Sequence, residues 1–145
     1  LRLFKFLVVV RYDLNNLQPQ FGFGSSVRSS EELTTTTMVK KLISVDFKKL
    51  PWEQETPLHN RWHPDIPPVA SVAEGEVFRV ECVDWTGGQI KNDDSADDVK
   101  NVDLSQVHYL SGPIAIDTAE PGDLLKVEIL NLGCLDGDEW GFTGT

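Results

Sequence analysis

Positive charge is scarce in this chain: 13 lysines and arginines stand against 23 aspartates and glutamates in 145 residues, a net charge of −10. Phosphate surfaces are held by surplus positive charge, so neither nucleic acid nor an anionic membrane is expected as a partner, which leaves small molecules and proteins. Cysteine is scarce too. Cys82 and Cys134 make neither a disulfide framework nor a four-ligand zinc site, and a reducing, cytoplasmic setting is expected. Long hydrophobic runs are missing. The longest, from Phe6 to Val10, is far below the roughly 20 residues of a membrane helix and the roughly 7 to 15 of a signal-peptide core. What is present, 40% apolar and 25% charged residues, is an ordinary globular balance with enough length for one core, or for part of a larger domain.

Methionine occurs once, at Met38, directly after the run Thr34-Thr35-Thr36-Thr37. Residues 1–37 carry a net charge of +1 against −11 for the rest, and of eight prolines only Pro19 precedes Met38. The expected division is therefore an N-terminal extension over 1–37, disordered or translated from upstream sequence, with a targeting peptide as the alternative. Residues 38–145 form the second part. The ending Asp138-Glu-Trp-Gly-Phe-Thr-Gly-Thr145 reads as a cut through a structured segment.

Within the second part, Leu42–Phe47 alternates partly and predicts a strand. Five prolines between Pro51 and Pro68 each remove a backbone donor, which excludes a continuous helix and predicts an extended, ordered loop. Glu76–Trp85 is the clearest strand, with Phe78, Val80 and Cys82 on one face and Arg79 and Glu81 on the other. Its turn-and-strand pattern, Ala73 to Val83, returns at Glu120 to Leu130. Shared turn-and-strand geometry accounts for this, with a duplicated half as the alternative, and Leu125, Val127 and Ile129 are expected to face inward. Ser95 caps a short helix with Asp98 in the capping-box position, Val99 and Val102 supply its packing side, and Tyr109–Asp117 predicts a strand interrupted at Ser111-Gly112-Pro113. Short strands, glycine turns and one short helix add up to a mainly β sandwich or barrel.

Two places carry candidate chemistry. His59 and His63 stand four residues apart, a spacing that on a helix offers both imidazoles to one metal; in a proline-bounded loop they either converge as ligands and catalytic groups or hold the loop by hydrogen bonds. Arg61 between them either orients a carboxylate or stacks. Asp84 ends the clearest strand on its inward side, where a carboxylate must be paired, hydrogen-bonded or metal-bound. Gly87 and Gly88 follow, free to turn backbone N–H groups toward a carbonyl oxygen, and Gln89 adds an amide suited to a small amide substrate. The alternative is a capped, strand-ending turn. Asp93, Ser95 and Asp97 suggest calcium, but Asp98 and Leu104 occupy the positions where an EF-hand needs glycine and glutamate. Cys82 reads as core, and His108 as a hydrogen-bonded structural histidine.

The runs HNRWHPDIPP (59–68), VDWTGGQIKNDDSADD (83–98), VHYLSGP (107–113), EPGDLL (120–125) and DEWGFT (138–143) together resemble the acetamidase/formamidase family, its formamidase branch most closely. The resemblance spans nearly all of 40–145. It implies a β-rich hydrolase that cleaves the carbon–nitrogen bond of short linear amides, formamide to formate and ammonia, and assembles into homo-oligomers. Family members run to several hundred residues, so the resemblance also implies an incomplete, inactive chain. On this reading Asp84 is a ligand or base, His59 and His63 are ligands or proton carriers, and Gly87, Gly88 and Gln89 cradle the amide. A divalent metal is the candidate cofactor, with its other ligands beyond Thr145. The competing expectations are a small, non-catalytic β-rich binding module and an inactive truncated product.

Overall fold

A computed structural model describes residues 39–143 in full and, of the preceding residues, the strand backbone at Leu3–Phe4 and Phe6–Leu14. The rest of the expected extension, and Met38 that follows it, lie outside the described residues. Two stretches within 1–37 are thus strands where disorder was expected. The apolar, β-branched run Phe6 to Val10 is what a central strand requires.

The architecture is mainly β, with no closed barrel among the described residues. The strands are β1 (Leu3–Phe4), β2 (Phe6–Leu14), β3 (Lys40–Ile43), β4 (Ala70–Val72), β5 (Val77–Glu81), β6 (Ile114–Ile116), β7 (Leu125–Cys134) and β8 (Gly141–Phe142). A 3-10 turn occupies Pro51–Glu53 and the helix α1 spans Ala96–Lys100. The main sheet runs β3-β5-β2-β7, while β1-β8 and β4-β6 pair separately. β2 is antiparallel to both β5 and β7, whereas β3 lies parallel to β5.

Alternation in β5 works as predicted: Phe78 and Val80 are buried with Ile43 and Val72, and Cys82 packs against them. β5 is shorter than the expected strand, ending at Glu81, after which the chain turns into the Asp84 segment. β7 departs from expectation, since Leu125, Val127 and Ile129 are 41%, 50% and 63% exposed. As the outer strand of the sheet it has only β2 beside it. Of the strand expected over Tyr109–Asp117, β6 alone forms, together with an isolated bridge between Leu110 and His59. Ser95 caps α1 as predicted, its hydroxyl accepting from Asp97 N–H at 3.2 Å, but Asp98 instead accepts from Lys91 N–H at 2.9 Å.

A second apolar cluster matters most for function. Val45, Leu58 and Leu135 are buried, with Val83 and Tyr109 against them. Leu58 and Val83 immediately precede His59 and Asp84, so one set of apolar contacts anchors the base of both candidate segments. Burying such side chains is worth roughly 1.5–3 kcal/mol each.

Candidate functional site

Asp84 is buried, and its carboxylate is the hub of a tight turn. One oxygen, Oδ1, accepts from Thr86 N–H at 2.8 Å and from the Thr86 hydroxyl; Oδ2 accepts from Gly88 N–H at 3.0 Å. The Asp84 carbonyl accepts from Gly87 N–H at 3.0 Å. Thr86 is fully buried, and its hydroxyl oxygen accepts in turn from Gln89 N–H at 3.2 Å. Sequence reasoning passed over Thr86, although an aspartate two residues before a hydroxyl side chain is a signal for such a turn.

Gln89 ties this turn to the next loop. Its Nε2 donates to the carbonyls of Thr86 (3.0 Å), Gln106 (3.0 Å) and Asp103 (3.2 Å), while its Oε1 accepts from Asp103 N–H at 2.8 Å. The N–H groups of Gly87 and Gly88 and the amide of Gln89 are therefore all engaged inside the protein. Gly87 has a further duty. At φ +69° it lies so close to Tyr109 that an added Cβ would sit 2.8 Å from the ring and 3.0 Å from Pro51 Cγ.

The histidine loop contrasts with this turn. Its backbone is anchored, because Leu110 N–H donates to the His59 carbonyl at 2.8 Å. His59 Nδ1 lies 2.8 Å from the Arg61 carbonyl, and since a carbonyl only accepts, Nδ1 carries a proton, which in the neutral ring leaves the lone pair on Nε2. That Nε2 is buried and has no partner. At His63 the roles reverse: Asp65 N–H donates to Nδ1 at 3.2 Å, so the neutral ring carries its proton on Nε2. Arg61 Nη1 donates to the Asn60 carbonyl at 2.9 Å and to its side-chain oxygen at 2.7 Å.

Two cavities, of about 740 and 420 Å³, share His59, Arg61, Trp62, His63 and Ile66 as walls. The larger is completed by Trp52 and Tyr109, the smaller by Ser111 and Pro113. Ser111 Oγ is buried beside the Cys82 thiol, with which its side chain interacts, and the sequence reading gave it only the role of a strand interruption. Asp84 and Gln89 line neither cavity. Tyr109 joins the two regions: its ring packs on Gly87 and faces the larger cavity, and its hydroxyl donates to Gln106 Oε1 at 2.5 Å.

The remaining candidates take structural places. Burial pushes the Cys82 thiol above its ordinary range, an effect that Ser111 partly offsets and the Glu81 carboxylate adds to, so Cys82 is no ready nucleophile. His108 packs 5.5 Å from Trp85 and its N–H donates to the Trp85 carbonyl at 2.6 Å. In the acidic loop Asp93 Oδ1 accepts from Ser95 N–H at 3.0 Å. Among the described residues, no three His, Cys, Asp or Glu side chains come together as metal ligands, so a metal held by the histidines would need donors from elsewhere.

Comparison with known proteins gives a consistent result. The profile of the Acetamidase/Formamidase family matches residues 44–145. A formamidase of Methylophilus methylotrophus is 59% identical over 106 residues, covering 73% of this chain and 26% of its own length. An acetamidase of Mycolicibacterium smegmatis is 51% identical over 114 residues, covering 74% of this chain and 28% of its own. The solved structure of a gamma lactamase from Delftia acidovorans matches with a TM-score of 0.55 at 55% identity, covering 58% of this chain and 20% of that one. The chain spans about a quarter of the length of the curated relatives it matches.

Proposed function

Because the chain belongs to the acetamidase/formamidase family, we propose that it serves a hydrolase acting on the carbon–nitrogen bond of short linear amides, with formamide converted to formate and ammonia. The observation that carries this reading is the 59% identity to a formamidase across the region that holds the histidine loop and the Asp84 turn. Amide hydrolysis needs a polarised carbonyl, an acceptor for a proton of water and a donor for the departing ammonia. His59 and His63, opposite in tautomer and walling the same cavities, bring one ring acceptor and one ring donor. Asp84, Gly87, Gly88 and Gln89 act by holding Tyr109 and the neighbouring loop against that cavity. Should a divalent metal take part, the ring nitrogens are its ligands on this chain.

We place the family domain from near Met38 onward, with residues 1–37 outside it, as the family match beginning at residue 44 supports. The partner is a small amide. Two free cysteines favour a cytoplasmic setting, and among the described residues no helix is long and apolar enough to cross a membrane. The exposed apolar side chains of β7 favour a homo-oligomer. The test is ammonia release from formamide by the protein that carries this sequence, with His63→Gln beside it. A fall of about 100-fold or more is expected for the variant; unchanged release would remove His63 from the mechanism, and no release by the parent would end the hydrolase reading.

A further inference from the structure

The turn-and-strand pattern that occurs twice in the sequence is also a repeat in space. In the first copy Glu76 N–H donates to the Ala73 carbonyl at 3.2 Å, and Ala73 N–H donates back to Glu76 Oε2 at 3.1 Å. In the second, Asp123 N–H donates to the Glu120 carbonyl at 3.1 Å and Glu120 N–H to Asp123 Oδ2 at 2.8 Å. Gly75 and Gly122 carry the two turns at positive φ, 76° and 107°. The strands that enter the turns are direct neighbours, β4 lying parallel to β6. The strands that leave them are not: β5 and β7 are each antiparallel to β2, hence parallel to one another with β2 between them. Neighbouring strands lie about 4.8 Å apart, so β5 and β7 stand roughly 10 Å from each other, a slot for a single strand.

What fills the slot comes from outside the family region, since the match begins at residue 44 and β2 is Phe6–Leu14. Residues 7–11 are paired on both edges, Val8 with Val80 and Leu132, Val10 with Phe78 and Ile129. Arg11 stands opposite Glu128 and Asp13 opposite Lys126, so the register sets unlike charges against each other. Without β2, β5 and β7 would each turn a row of unpaired N–H and C=O groups to the slot, those of β5 beside the buried Phe78 and Val80. Adding one extended segment to such edges is a recurring mode of peptide recognition, in which main-chain hydrogen bonds supply the affinity. We propose that the slot between β5 and β7 is a strand-acceptor site, filled in this chain by residues 6–14 and open in trans to an extended peptide of the same apolar, β-branched pattern. β5 and β7 lead into Val83 and Leu135, members of the cluster beneath the histidine loop and the Asp84 turn, so the strand in the slot also sets the spacing at the base of the candidate site. The proposal rests on main-chain pairing and is independent of the hydrolase reading.

The register is tested by cross-linking the full chain. Arg11→Cys combined with Glu128→Cys is expected to give, on mild oxidation, a disulfide between the peptides that hold residues 11 and 128. Arg11→Cys combined with Leu132→Cys, which lies opposite Val8, should give at least about tenfold less. Equal yields, or none at residue 128, would overturn the proposal. Binding in trans is tested by inserting a specific protease site after Ser26 and cutting the folded chain there. The N-terminal fragment is expected to stay with the remainder on gel filtration and to be displaced saturably by a labelled synthetic peptide of residues 6–14. The same peptide with Val8→Pro and Val10→Pro should bind at least about tenfold more weakly, because proline removes ladder donors. Departure of the fragment from a domain whose tryptophan fluorescence is unchanged, equal displacement by the proline peptide, or unfolding of the cut chain that added peptide does not reverse would each overturn the proposal.

Discussion

The Asp84 turn and the histidine loop rise from one apolar cluster, yet they treat their polar groups differently, although each leaves one ring nitrogen buried and unpartnered, Trp85 Nε1 in the turn and His59 Nε2 in the loop. In the turn, a buried carboxylate, a buried hydroxyl, two glycine N–H groups and a glutamine amide are all matched to one another. In the loop, the His59 Nε2 atom is buried and matched to nothing. Satisfied networks fix geometry, whereas unsatisfied groups carry a cost that a bound molecule can remove. Asp84, Gly87, Gly88 and Gln89 thus spend their polar groups on one another and on the adjoining loop, whereas His59 keeps one ring nitrogen open.

The largest effect should come from breaking the turn at its hub. Asp84→Ala leaves the buried Thr86 donors and the half-buried Gly88 N–H without their acceptor, and a loss of about 4 kcal/mol in denaturant unfolding is expected. A loss below about 1 kcal/mol would mean that the turn does not depend on the carboxylate. Next comes Gly87→Ala, for which left-handed backbone and collision with Tyr109 together should cost about 3 kcal/mol; Gly88→Ala, also at positive φ but facing open space, should cost about 1 kcal/mol. Equal costs would show that Tyr109 is not packed on Gly87.

A smaller effect tests the sheet below both regions. Burial alone would raise the Glu81 carboxyl, but the Lys41 ammonium 2.7 Å away, the Val45 N–H and Arg79 outweigh it and hold it below its ordinary value of 4.5. A depressed folded value means that this stability is fully present above the ordinary value and is lost as pH falls through the folded one. Unfolding midpoints measured between about pH 7 and about pH 3 should fall less steeply in Glu81→Gln than in the parent; parallel curves would contradict the assignment. The smallest change is expected for Trp62→Ala. Trp62 is 90% exposed, so stability should move by less than about 0.5 kcal/mol, while any amide affinity of the loop should weaken.

Much of this was legible in the sequence. The alternation Phe78, Val80, Cys82 is a local pattern and it placed the core face of β5 correctly. The same alternation misled at Leu125, Val127 and Ile129, because β7 sits at the edge of the sheet and alternation does not reveal whether anything covers a face. Asp84 was recognised as a carboxylate that burial must satisfy, and the capped turn was the alternative weighed beside catalysis. The engagement of Gly87, Gly88 and Gln89 depends on Thr86 and on carbonyls of residues 103 and 106, contacts across the fold that spacing does not encode. The place of Ser111 beside the Cys82 thiol was hidden for the same reason.

Hydrogen–deuterium exchange of the chain with and without formamide tests the division between the two regions most directly. The account predicts that amides of residues 86–89 exchange slowly in both conditions, whereas those of residues 59–66 exchange faster and become protected when formamide is added. Protection confined to residues 86–89, or none at residues 59–66, would contradict it.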